Sequence, residues 1–142
     1  PRYTLRLHLH WDAERAKIKE DELLLVEGKV QRDDFSGGLR VTAEKLMTLG
    51  EARSRYARLL RLSLNGNSDA TANAHCARKL HGLLAPFRQS ESGGCQVRLR
   101  YTNATATADL PLPQGWAVRL DDELIGQLSN WLQPENVQVI YG

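Results

Sequence analysis

Residues 21–48 read DELLLVEGKVQRDDFSGGLRVTAEKLMT. Leu23 to Val30 is apolar and β-branched enough for a buried strand, and Gly28 inside it marks a bulge or bend. Asp33-Asp34-Phe35-Ser36-Gly37-Gly38 is a turn. Its Asp and Ser side chains bond to nearby backbone, and the glycines take positive φ without steric penalty. Leu39 to Thr42 returns as a strand, with Leu39 and Val41 on one face and Arg40 and Thr42 on the other. From Ala43 to Met47 the strand is expected to end in a short irregular stretch. The region is a long hairpin with a wide, glycine-ended loop.

Upstream, Tyr3 to Trp11 (YTLRLHLHW) has the cleanest alternation in the chain. Leu5, Leu7, Leu9 and Trp11 point one way, and Thr4, Arg6, His8 and His10 the other, which predicts a half-buried strand. His8 and His10 share a face at a spacing that can seat a metal. No third or fourth ligand lies near them, so they read as a polar strand face, and no metal site is expected. Asp12 to Glu20 reads as a short helix with Asp12 as its cap.

Downstream, Gly50 to Arg58 is a charged helical connector. Leu59 to Leu64 is a strand, followed by a turn at Asn65-Gly66-Asn67-Ser68. A helix capped by Ser68 or Asp69 then runs to about Leu84, with Ala72, Cys76, Leu80, Leu83 and Leu84 as its apolar stripe. After the polar loop Ser90–Gly94, Gln96–Tyr101 alternates as a strand. Asn103–Leu110 reads as a polar strand and Trp116–Leu120 as another. Asp121-Asp122-Glu123 places three acids where the dipole of the last helix favours them, and Pro134 ends that helix. Val137–Tyr141 is the final strand. The expected class is α+β. Residues 1–49 form a partial barrel hairpin module, 50–58 a connector, and 59–142 a small β-α-β-β-β-α-β domain with an antiparallel or mixed sheet.

The 142 residues suit one domain or two very small ones, and an apolar share of 42% is enough for a core. A net charge of +2, from 19 basic and 17 acidic side chains, says little about a polyanionic partner. The segment Asp121–Gly142 holds four acids and no Lys or Arg, which makes it a poor nucleic-acid surface. Cys76 and Cys95 read as reduced thiols of a cytoplasmic protein. No apolar signal region or membrane-length run is present, so no membrane association is expected. The chain opens on Pro rather than Met, so it is expected to be a processed product or a piece of a longer one. Nucleophile elbow, glycine-rich phosphate loop and paired-cysteine zinc motif are all absent, and no cofactor is expected. Asp33-Asp34 is the tempting carboxylate pair for two-metal chemistry, but adjacent acids in a glycine-ended turn are more simply turn formers.

The hairpin resembles the closing strands of an OB barrel, a fold that often binds single-stranded nucleic acid. A more specific resemblance lies on EDELLLVEGKVQRDDFSGGLRVTAEKLMTLGEARSRYAR, Glu20 to Arg58. The string DDFSGG, then LR-x-TA, then EAR-x-x-YAR resembles the carboxy-terminal region of the alpha subunit of bacterial DNA polymerase III. The length and strand-helix order after Arg58 extend the resemblance to Gly142; Pro1–Trp11 is not covered. The resemblance implies a non-catalytic piece, because the family's catalytic aspartates lie in a palm domain with no counterpart here. It also implies docking on the tau subunit of the clamp loader, through Trp131, Leu132, Val137, Val139, Ile140 and Tyr141. The alternative for these side chains is core packing, and an edge strand can serve both ends.

A basic groove with stacking aromatics would bind single-stranded DNA weakly through Arg32, Phe35, Arg40, Lys45 and Arg6, with His8 beside Arg6. Against this, all are explicable as solvated residues, and Phe35 can fold back to pin its own turn. An OB barrel needs five strands, and about three precede the second module. Tyr3–Trp11 therefore either pairs as a surrogate strand or leaves an open apolar edge, and the second case predicts an edge-paired dimer through Leu5, Leu7 and Leu9. One rival reading is an independent OB-type single-stranded nucleic-acid-binding protein, which the small net charge disfavours. Another is a self-standing enzyme, which lacks an active-site constellation.

Overall fold

The computed structural model describes residues 3–7, 14–34, 37–66, 70–89 and 93–142, with backbone alone for 3–7 and 70–71. The predicted side-chain roles of Arg6, His8, His10, Leu5, Leu7, Leu9, Trp11, Phe35 and the caps Asp12, Ser68 and Asp69 lie outside the described residues. The chain divides into two compact units, Pro1–Ala52 and Arg53–Gly142.

The first unit is a three-stranded sheet. Strand β1 (Tyr3–Leu7) runs parallel to β3 (Leu39–Thr48), and β2 (Leu24–Arg32) pairs antiparallel on the other side of β3. The register slips between Glu27 and Gly28, opposite Lys45 and Ala43, so Glu44 is the extra residue of a bulge. A Cβ on Gly28 would run into the Thr42 carbonyl and the Ala43 Cα, which is why glycine stands there. The turn closes with Asp33 N–H donating to Gly38 O and Gly37 N–H donating to Asp33 O, both at 2.9 Å, and Gly37 takes φ 68°.

Three expectations change here. Strand β3 does not fray at Ala43 but continues to Thr48, because Met47, Leu46 and Lys45 find partners on β2 and Ala43, Leu46 and Met47 are buried. Pairing overrides the helical propensity of AEKLM. The helix expected over 12–20 is, among the described residues, a single 3-10 turn at Arg15–Lys17 that leads into extended Ile18. Among the described residues the sheet is open and no barrel closes: Tyr3–Leu7 pairs with β3, and the three strands leave β1 and β2 as edges.

Helix α1 (Leu49–Tyr56) begins on a capping box. Thr48 Oγ1 accepts from Glu51 N–H at 3.2 Å, and Glu51 Oε2 accepts from Thr48 N–H at 2.9 Å.

The second unit runs β4 (Ala57–Asn65), α2 (Ala70–Leu84), β5 (Gln96–Thr102), β6 (Thr107–Pro111), α3 (Asp122–Leu132) and β7 (Val137–Tyr141). Its sheet order is β6-β5-β4-β7, with β4 and β5 parallel and the outer pairs antiparallel. Both helices pack on one face. Leu60, Leu62 and Leu64 of β4 and Val97 of β5 meet Leu80 and Leu84 of α2 and Leu124 and Leu128 of α3. Asp121 caps α3, accepting from Leu124 N–H at 3.0 Å.

Trp116–Leu120 is not a strand. A 3-10 turn at Gln114–Trp116 precedes it, and Val118 makes isolated bridges to both Arg88 and Cys95. Ala117, Val118 and Leu120 are buried, so their apolar run reflects core burial rather than a ladder. The order is therefore β-α-β-β-α-β. The polar strand expected from Asn103 starts at Thr107 instead, since Asn103 Oδ1 gathers the backbone N–H groups of Thr105 (2.9 Å) and Ala106 (2.8 Å) into a turn.

Candidate functional site

Of the five predicted nucleic-acid residues, three, Arg32, Arg40 and Lys45, have described side chains, each in its own environment. Arg32 ends β2, exposed, with its backbone beside Leu39. Arg40 is half-buried and pairs with the carboxylate of Asp33, itself only 7% exposed. This ties the returning strand to its own turn, leaving the buried Arg40 Nε without a hydrogen-bond partner among the described residues. Lys45 is half-buried on β3, in register with Glu27. Arg6 lies on β1, its backbone in register with Thr42. Asp33 is thus a turn-pinning acid held by a guanidinium, and the exposed Asp34 stands apart from it in environment.

A second polar knot escaped the sequence reading. Lys17 Nζ reaches Glu51 (3.0 Å), Glu14 (3.3 Å) and the Leu46 carbonyl (3.4 Å). Its pKa is raised, first by the hydrogen bond it donates to Glu51. Glu51 is lowered, first by the Thr48 backbone N–H and then by Lys17. The Thr-x-x-Glu spacing at 48–51 was the available signal.

In the second unit β7 is an edge strand. Val137 and Val139 sit opposite Leu62 and Leu60 and pack on the core, while Tyr141 is 55% exposed. Trp131 and Leu132 are half-buried against the same core, and Lys79 Nζ lies 5.3 Å from the Trp131 ring centroid. Between helix and strand, Gln133 adopts φ 73°, ψ 147° ahead of Pro134, and Asn136 Nδ2 donates to Leu132 O at 2.7 Å. The structure therefore brings the six predicted partner residues together in β7 and the end of the helix before it: Trp131, Leu132, Val137 and Val139 pack on the core, Tyr141 is exposed, and Ile140, opposite Leu59, lies on the other face of the sheet. An apolar cleft of about 90 Å³ lies elsewhere, between Leu80, His81, Leu84, Leu112 and Trp116. It is well below the size of ordinary small-molecule sites. Arg88 caps its Trp116 ring at 4.3 Å.

No family model matches the chain. Curated relatives do. The DNA polymerase III subunit alpha of Neisseria meningitidis is 37% identical over 124 residues, covering 86% of this chain and 10% of the relative. The Escherichia coli protein of the same name is 37% identical over 122 residues, with the same coverage of each chain. That of Pseudomonas aeruginosa is 36% identical over 129 residues, or 91% of this chain and 10% of the relative. The chain is homologous to a region of the bacterial DNA polymerase III alpha subunit. It spans about a tenth of the length of these relatives.

In this alpha-subunit homologue no three His, Cys, Asp or Glu side chains among the described residues are grouped to hold a metal ion. No helix among them is long and apolar enough to cross a membrane. Cys76 is half-buried and Cys95 buried, both as free thiols. Burial raises both, Cys95 to about 11, so neither is poised as a nucleophile.

Proposed function

We propose that the chain acts in DNA replication as a non-catalytic carboxy-terminal part of a polymerase III alpha subunit, tethering polymerase to the tau subunit of the clamp loader. The observation that carries this reading is an edge strand, β7, paired on one side with β4 and on the other with no strand among the described residues, ending in exposed Tyr141, in a chain homologous to that subunit. An edge strand offers its backbone to a partner while Val137 and Val139 stay in the core. Trp131, Leu132 and Ile140 would form the rim of the contact. The first unit would touch single-stranded DNA weakly, with exposed Arg32 better placed than Arg40, whose charge is already met by Asp33.

The test is calorimetric titration with the purified carboxy-terminal domain of tau, repeated with a version of this chain ending at Asn136. Saturable heat that disappears on truncation supports tethering through β7. No complex with the intact chain overturns it.

A further inference from the structure

The face of the second unit's sheet opposite its helices carries arginines that sequence alternation alone does not bring together. Along β4, Leu60, Leu62 and Leu64 point into the core, which leaves Leu59, Arg61 and Ser63 on the other side. Along β5, buried Val97 places Gln96, Arg98 and Arg100 on that side as well. The parallel register sets Arg61 beside Arg98, and one row runs Pro111, Arg98, Arg61, Gln138 across all four strands. Neighbouring strands lie about 4.8 Å apart, so two guanidiniums stand abreast. Like charges so placed repel.

Arg100 is answered by Asp109 at 3.4 Å. Arg61 and Arg98 have no ion pair among the described residues, and the Nε–H of each is buried without an acceptor. Two half-buried cations with unmet donors are a standing demand for anionic oxygen. The next row of the same face is Gln96, Leu59, Ile140, whose Leu59 and Ile140 are half-buried. The face thus sets an apolar step beside a pair of fork-shaped donors. The rows named here contain no aromatic ring on which a base could stack, which disfavours single-stranded nucleic acid.

We infer that this sheet face is a docking surface for an acidic, apolar-dotted peptide segment of a partner protein, its carboxylates taken by Arg61 and Arg98 and its apolar side chain by Leu59 and Ile140. The inference goes beyond the tethering reading and does not depend on it, since it uses the sheet face rather than the β7 edge.

The test uses the whole chain and a fluorescein-labelled peptide of about ten residues, glutamates with leucine at every third position. Fluorescence anisotropy is expected to show saturable binding that weakens with salt. Replacing the leucines by glycine should weaken it several-fold. The double variant Arg61→Gln/Arg98→Gln should weaken it at least about tenfold, the equivalent of one lost charge-assisted contact. Arg119→Gln, outside both rows and paired with Asp121, should leave it unchanged. The double variant removes a like-charge pair, so its thermal midpoint should not fall. In parallel, amide shifts of the unaltered protein are followed on titration and should move at Arg61, Arg98 and Ile140.

Peptide binding indifferent to the double variant, shifts confined to other residues, or no peptide binding would each overturn the proposal. Oligothymidine binding that depends on Arg61 and Arg98, with the peptide inert, would overturn it too and assign the face to nucleic acid.

Discussion

Leu124 of α3 is fully buried, and the helix it anchors delivers the chain to β7. Replacing it by Ala removes three carbons beyond Cβ, each worth about 0.8 kcal/mol of transfer from water, or about 2.4 kcal/mol together. Leu124 shares one buried cluster with Leu60, Leu62 and Leu128, and a close-packed core collapses only partly into a space left within it. A residual void adds roughly 1 kcal/mol, which places the loss at about 3–4 kcal/mol, within the usual range for buried Leu→Ala. The better helix propensity of Ala returns only a few tenths of a kcal/mol.

The assay is urea unfolding followed by circular dichroism, with the slope m unchanged. At an m of about 1–3 kcal/mol/M, the midpoint should fall by about 1 M or more. The control is Leu110→Ala on β6, 48% exposed, which should lose less than about 1 kcal/mol. Equal losses for the two variants, or less than about 1.5 kcal/mol for Leu124→Ala, would refute the assignment of the core to this helix face.

Asp121→Ala removes the cap on Leu124 N–H and the Arg119 ion pair, and should lower stability by about 1 kcal/mol in the same unfolding assay. Gln133→Gly should raise stability by about 1 kcal/mol, because a non-glycine residue at φ 73°, ψ 147° carries about 1–3 kcal/mol of strain, partly offset by glycine's larger unfolded-state entropy. Cys95 is raised from 9.0 to about 11 by burial, so the folded state holds its proton more tightly than the unfolded chain. Its contribution should be complete below pH 9 and disappear as pH climbs towards 11; a Cys95→Ser comparison of thermal midpoints across that window isolates it. Iodoacetamide at pH 8 should label Cys76 well before Cys95, read by mass spectrometry of the peptides.

Several local signals in the sequence by itself determined the outcome. Alternation over Val137–Tyr141, the acidic start and Pro134 stop of α3, the glycine turn at 37–38 and the Gly28 irregularity all sit in windows of a few residues, and backbone sterics and the helix dipole act at that range. The string from Glu20 to Arg58 likewise carried the kinship that the relatives show. Three features were decided only in three dimensions. Strand β3 runs to Thr48 because β2 pairs with it there, against the local helical preference of its residues. Val118 sits in a buried loop rather than a strand because its two bridging partners, Arg88 and Cys95, come from different segments, so no continuous ladder can form. The two outcomes share one apolar pattern, and burial alone cannot distinguish them. Arg61 and Arg98 lie on separate strands joined by a helix, and each alternates innocently with leucine or valine in its own segment. Only the parallel register places them abreast, because strand pairing is a long-range choice made by the whole core.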